Sequence, residues 1–168
     1  MADDAPKRLM VRIDGRSAYS PYLVGGIQWH LISLDLEDIE RIEIFRGSNA
    51  TSFGSQAVLG VIDIITRPAS DTPRLRIRAT RGTDGIRDTS ATLGVLGDRS
   101  AWRLTAAEER DDGLDPIQDQ HRRQRFDLRG DMDLTESQRL EIHGGAVRLD
   151  GGAGFAGNIQ DPPRRLEH

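Results

Sequence analysis

Cysteine is missing from all 168 residues. That excludes a disulfide framework and any thiolate metal site, and it leaves the redox compartment unmarked. Aromatic residues make up only 5% of the chain and hydrophobic residues 36%. So few large side chains give a thin core per residue, and one large compact globule is not the first expectation. No run approaches the ~18 apolar residues of a membrane helix. Met1-Ala2-Asp3-Asp4 lacks the basic start and apolar stretch of an export signal. An excess of basic charge is also absent. The 23 basic residues face 27 acidic ones, for a net charge of −4, which argues against a dedicated nucleic-acid binder. The length allows one domain or two small ones. Leu166-Glu167-His168 resembles the start of an affinity tag, and residues 166–168 are left out of the fold reading. The chain reads as part of a longer protein, in which case missing targeting signals say little.

Catalytic and cofactor motifs are equally thin. His30, His121 and His143 are scattered, without the i, i+4 pairing that places two imidazoles on one metal. No serine or threonine has a histidine at a spacing that marks an acyl-transfer site. Gly152-Ala153-Gly154-Phe155-Ala156-Gly157 matches G-x-G-x-x-G letter by letter. A dinucleotide site needs that turn to open a helix, and Asn158-Ile159-Gln160-Asp161-Pro162-Pro163 cannot continue as one. Asp111, Asp112, Asp115 and Asp119 could offer oxygens to calcium, but Gly113 comes too early for an EF-hand and no glutamate closes the loop. A solvated acidic loop is the simpler reading. The five arginines from Arg74 to Arg87 have no interleaved aromatics and read as one polar strand face. The expectation is therefore a chain that is not an enzyme and needs no cofactor or metal.

What the sequence does have is strand patterning. Leu9 to Ile13 is a short apolar-rich run that stops at Asp14-Gly15, a turn signal. Ser17 to Gly26 reads as loop. Ser33 to Glu40 is a helix candidate of one or two turns, capped by Ser33 or Asp35, with Leu36 and Ile39 on one face. Arg41 to Phe45 alternates, with Ile42 and Ile44 on one side and Arg41 and Glu43 on the other, as a half-buried strand does. Val58 to Thr66 is more continuously apolar and so more buried. Pro68 ends it.

After Pro73 the texture changes to period-two strands of similar length: Arg74 to Arg81, Thr89 to Leu96, Ala101 to Arg110, Arg123 to Leu134 and Gln138 to Leu149. Leu75, Ile77 and Ala79 share a face opposite Arg74, Arg76 and Arg78. Short connections at 97–99 and 134–137 alternate with connections on the other side, at 83–86 and 111–121. An up-and-down membrane barrel has that rhythm, its apolar face toward lipid and its arginines toward a wet lumen. A soluble sandwich can show the same alternation, with the apolar face as core. Trp102 fits an interfacial aromatic belt in the first case and a core in the second. Alternation alone leaves both open.

The loop from Arg46 to Gln56 joins the two earlier strands and is rich in small polar residues: Ser48, Asn49, Thr51, Ser52 and Ser55, between Gly47 and Gly54. Arg46 can offer its planar fork to a carboxylate or stand solvated at the strand end. The residues alone favour the solvated arginine.

The order of these pieces resembles the plug domain of TonB-dependent outer-membrane receptors. Val11-Arg12-Ile13-Asp14-Gly15 matches its strand ending in Ile-Asp-Gly. Asp38 to Gly47 matches its Asp-Ile-Glu-Arg-Ile-Glu-Val-x-Arg-Gly segment. Phe53-Gly54 and Ala57 match the loop, and Gly60, Ile62, Ile64 and Thr66 match Gly-x-Ile-x-Ile-x-Thr. Ser48 replaces the usual proline and Phe53 a common tyrosine. The match covers roughly Leu9 to Arg67, and the later strands fit the family's barrel by pattern.

The resemblance implies an α+β, mostly β fold: a partial plug domain over residues 1–73, then an antiparallel β-meander of about five strands over 74–165 from an incomplete outer-membrane barrel. It implies active uptake of a scarce ligand, such as an iron–siderophore complex or cobalamin, in a Gram-negative bacterium. The plug gates the lumen, with TonB, the external ligand and outer-membrane lipid as partners. The plug's N-terminal half, with its TonB-contacting box, is not seen in these residues. The resemblance reverses the reading of Arg46 and makes Arg46 and Glu43 candidates for the plug–barrel lock. Gly47, Ser48, Asn49, Thr51, Ser52, Phe53, Gly54 and Gln56 become a lining or gating loop. A soluble periplasmic β-rich binding module is the alternative. An open five-stranded sheet is also expected to pair its edges with another copy, or to leave the barrel strands partly non-native.

Overall fold

The computed structural model describes residues 9–19, 27, 29–46, 53, 57, 59–83, 85–113, 120–151 and 166–167. The chain divides into two compact units, Met1–Arg67 and Pro68–His168.

The first unit holds a four-stranded sheet in the order β2-β1-β4-β3. β1 (Leu9–Ile13) runs parallel to the central β4 (Gly60–Thr66). β3 (Ile39–Phe45) pairs antiparallel with β4's other side, with a register shift between Ile39 and Arg41. β2 (Arg16–Ser17) folds back on β1 through the Asp14-Gly15 turn, where both residues have positive φ, 47° and 76°. Asp and Gly tolerate that region best, which is why the turn signal was legible. β4 is the most buried strand, as its continuous apolar run implied. Val11 and Val61 are fully buried, and Ala57, Val61, Met10 and Phe53 form a small core on one face.

Two readings change here. The segment at 33–40 forms only a single 3-10 turn, Leu36–Asp38, with Asp35 as its cap through a 3.1 Å bond from the Glu37 N–H. Leu36 is 81% exposed, and Ile39 already belongs to β3, so the shared apolar face does not form. With one apolar contact in two turns, nothing outweighs the cost of helix nucleation. Ile42 and Ile44 lie on one face of β3 as expected, yet both are more than half exposed, because β3 is the sheet's edge.

The second unit is an antiparallel meander: β5 (Leu75–Arg81), β6 (Arg87–Leu96), β7 (Ser100–Asp111), β8 (His121–Asp133) and β9 (Arg139–Gly151), with a two-residue pairing by β10 (Leu166–Glu167). All five expected strands are present, within two residues at each end. β7, β8 and β9 have 12, 13 and 13 residues. A globular strand usually has about five or six, and a tilted membrane-spanning strand needs about 9–11. A 3-10 turn, Ala69–Asp71, packs against β6, β7 and β8.

Candidate functional site

Two glycines fix where the meander's side chains can go. Trp102 stands directly opposite Gly130, and a Cβ on Gly130 would sit 2.4 Å from the indole ring. The indole therefore lies across the strand over the bare glycine, as aromatic rescue of a strand glycine requires. A Cβ on Gly94 would sit 2.6 Å from the Pro73 carbonyl, so the 72–73 segment crosses β6 only because Gly94 has none.

The two faces of the meander are inverted relative to a soluble sheet. On one face Leu75, Ile77, Leu93, Val95, Phe126 and Leu140 are between 39% and 73% exposed. On the other, Thr92, Arg103, Thr105, Arg125, Arg129 and Asp131 are nearly fully buried. Much of that polar face pairs within itself, although Arg103 Nε and Arg123 Nε make no hydrogen bond among the described residues. The Thr92 and Thr105 hydroxyls are 3.1 Å apart, and Arg76 donates to Thr92. Glu109 takes Arg123 at 2.8 Å and Arg125 at 3.0 Å. Asp131 accepts from Arg129 Nε at 3.0 Å and from the Ala69 N–H at 2.6 Å, with Arg139 3.5 Å away. A soluble sandwich requires the reverse burial, with the leucines inside. A barrel wall with a polar interior and a lipid-facing exterior requires this one. No helix among the described residues is long and apolar enough to cross a membrane.

In the first unit the motif residues converge at the ends of the strands. Asp14, at the turn after β1, accepts the Thr66 N–H at 2.9 Å and the Thr66 hydroxyl at 2.8 Å. The Arg67 N–H donates to the Asp38 carbonyl at 2.8 Å, and Asp38 is buried. Gly60 opens β4 with φ of 156°, and a Cβ there would lie 2.6 Å from the Phe45 carbonyl. The end of the β3–β4 pair away from the loop is thus held, and at the other end Phe45 pairs with Val61 where the loop departs.

Of the expected loop residues, Gly47, Ser48, Asn49, Thr51, Ser52, Gly54 and Gln56 lie outside the described residues. Phe53 is described. Its ring sits 5.2 Å from Phe45, and the Arg12 guanidinium lies 5.1 Å from its centroid. Arg12 also pairs with Asp63 at 3.0 Å through a single oxygen; Arg12 Nε and Asp63 Oδ1 are buried and make no hydrogen bond among the described residues. Arg46 follows β3 directly and is exposed. Glu43 is held on its own strand by Arg41 Nε at 2.7 Å, and that hydrogen bond is the main cause raising the Arg41 pKa, with Glu40 also contributing. Tyr19 donates its hydroxyl to the Leu9 carbonyl, and burial raises its pKa.

Sequence reasoning missed the Asp14–Thr66 clamp and the Arg12–Asp63–Phe53 stack. Both join residues about fifty positions apart, and pairing at that range carries no local periodicity. The ends of the clamp are nonetheless visible in the sequence, Asp14 in the turn after one strand and Thr66 as the last residue of another.

Comparison with known proteins gives these features a family. The family model of the TonB-dependent Receptor Plug Domain matches residues 3–61. The vitamin B12 transporter BtuB of Vibrio cholerae is 29% identical over 107 residues, covering 63% of this chain and 17% of that protein. The BtuB of Photobacterium profundum is 35% identical over 82 residues, covering 48% of this chain and 14% of that protein. Among solved structures, the siderophore receptor PirA from Pseudomonas aeruginosa superposes with a TM-score of 0.65 at 26% identity, over 87% of this chain and 27% of that one. The closed form of the ferric-catecholate import receptor Fiu from E. coli superposes with a TM-score of 0.66 at 21% identity, over 87% of this chain and 19% of that one. The chain thus spans less than a third of the length of these relatives. Residues 3–61 thus match a TonB-dependent receptor plug domain, and the fold is similar to that of outer-membrane siderophore receptors over part of a plug domain and the antiparallel strands that follow it.

Proposed function

We propose that the protein takes part in active uptake of a scarce external ligand, a ferric siderophore or cobalamin, across the outer membrane. On this reading residues 1–73 are the gating plug part and 74–165 the wall of the lumen. The energy comes from TonB, and no chemistry is done on the ligand. The observation that carries the reading is the inverted meander directly following a plug motif. Gating requires two states whose difference in contacts the ligand and TonB can bias. Arg46 and Glu43 are the proposed plug–barrel lock, and the loop from Gly47 to Gln56, with Phe53, is the moving or lining segment. The Arg12–Asp63 pair under Phe53 uses one oxygen, so it keeps spare hydrogen-bonding capacity for a second loop position.

The test is uptake of labelled cyanocobalamin and labelled ferric siderophores by cells carrying or lacking the full-length gene, with and without functional TonB. TonB-dependent uptake of one ligand, lost with the gene, is expected. Arg46→Ala is expected to lower that uptake or to admit a small antibiotic that the closed receptor excludes. Uptake unchanged on deletion, for every ligand tried, removes the reading.

We also infer that the isolated chain self-associates through the open edges of its sheet, since an unpaired long edge is a template for another copy. Light scattering in detergent is expected to give a dimer or larger. A monodisperse monomer with all five long strands protected from hydrogen exchange is the opposing result.

A further inference from the structure

One row of the meander breaks the rule that like charges avoid each other across strands. Arg81 stands opposite Arg87, Arg87 opposite Arg110, and Arg110 opposite Arg122. Directly opposed side chains share a face, so four guanidiniums lie side by side over about 15 Å. All four residues are exposed. Opposed like charges destabilise a sheet unless something anionic lies between them.

The chain supplies part of that anion. Glu108 takes Arg110 at 2.5 Å and Arg122 at 2.7 Å. Arg148, on the same face, holds Asp150 at 3.4 Å. No ion pair to Arg81 or Arg87 is found among the described residues. In the connections beyond the row, the acid among the described residues is Asp112, whose carboxylate lies against Gly85. Among the described residues, five arginines therefore face three carboxylates on this rim.

The position of the row identifies the missing anion. Alternation places the row on the outward face, the face of Leu75, Ile77, Leu93, Val95 and Phe126. It lies at the end of the strands that carries the connections 82–86 and 112–120, away from the short turns 97–99 and 134–138. The apolar residues occupy the other part of that face. A membrane presents the same order: acyl chains, then charged headgroups. Guanidinium binds phosphate through paired N–H donors, and a row of them fits a headgroup with more than one phosphate.

We propose that the Arg81–Arg87–Arg110–Arg122 row binds phosphorylated headgroups of the lipid leaflet at the loop end of the barrel. The proposal rests on the barrel reading above. It adds a lipid-recognition site on the outer wall, separate from the ligand path.

The test uses the full chain with Trp29→Phe, so that Trp102 reports alone. It is added to phosphatidylcholine vesicles with and without bisphosphorylated lipid A, and tryptophan quenching by acyl-brominated lipid is recorded alongside binding. Binding is expected to be tighter with lipid A, and Arg81→Gln/Arg87→Gln to lower that preference on the order of tenfold. Glu108→Gln is expected to raise it by about threefold, a change of opposite sign that misfolding cannot imitate. Quenched Trp102 with no lipid A preference overturns the proposal and leaves the barrel reading standing. Unquenched Trp102 overturns both. Equal competition by inorganic phosphate and by lipid A also overturns it, because the row would then be a simple anion site.

Discussion

The two units bury opposite kinds of residue. In the first, Val11, Val61 and Ile64 are inside, and the buried polar groups are used mostly at strand ends, where Asp14 and Asp38 close turns, with Asp63 inside β4 paired to Arg12. In the second, arginine, aspartate and threonine are inside while leucine, isoleucine and phenylalanine are outside. The same period-two alternation runs through both. What differs is the solvent each expects. The first unit obeys the rule for water, where burying apolar area stabilises by about 25 cal/mol per Å². On the barrel reading the second gains nothing by hiding leucine from lipid, so its interior is free to be polar, provided each buried charge finds a partner.

The largest way to break that contrast is at Asp131. Its carboxylate joins buried Arg129, the Ala69 N–H and the edge of Arg139. Asp131→Ala leaves a buried guanidinium short of its anion and an amide short of its acceptor. A loss of about 3–5 kcal/mol is expected, read as a fall in urea midpoint of the micelle-bound chain. Asp131→Asn keeps an acceptor for Ala69 and loses less. If the polar face were only wetted surface, Asp131→Ala would cost under about 1 kcal/mol.

Next in size is a charge on the outward face. Leu93 is 47% exposed. In water, Leu93→Arg at such a site is worth within about 0.5 kcal/mol. In a bilayer it should cost about 2–4 kcal/mol near the midplane. Comparing unfolding in lipid with unfolding in a polar amphiphile that leaves the face wet separates the two. Equal, small effects in both would return the meander to the class of soluble sheets.

The sequence revealed the strands of both units because alternation and turn residues act locally. Leu75 to Ala79 and Trp102 to Ala106 announce their faces without help from elsewhere. It could not say which face is inside, because that depends on solvent, and alternation reads alike in water and in lipid. The four arginines of the outer rim show the same limit. Arg81, Arg87, Arg110 and Arg122 are up to 41 positions apart in number and become one row only through register. The helix expected at 33–40 fails for a different reason: Ile39, whose spacing from Leu36 suits a helical face, begins β3 instead.

The smallest expected effect tests the first unit's water-like logic at Asp14. This residue does two things: it sits at φ 47° and accepts two hydrogen bonds from Thr66, which is 4% exposed. Three substitutions separate the roles. Asp14→Asn tolerates the left-handed backbone and keeps one acceptor oxygen, so it should cost least, roughly 0.5–1 kcal/mol. Asp14→Gly keeps the backbone and loses both bonds, which should cost roughly 1–2 kcal/mol. Asp14→Ala loses the bonds and adds backbone strain, bringing the cost to roughly 2–3 kcal/mol. Urea unfolding gives the order directly. Alanine and glycine costing the same would mean that the turn carries no strain. Asparagine as costly as alanine would mean that the carboxylate charge holds Thr66, and that polar pairing decides the fold of this unit as much as that of the other.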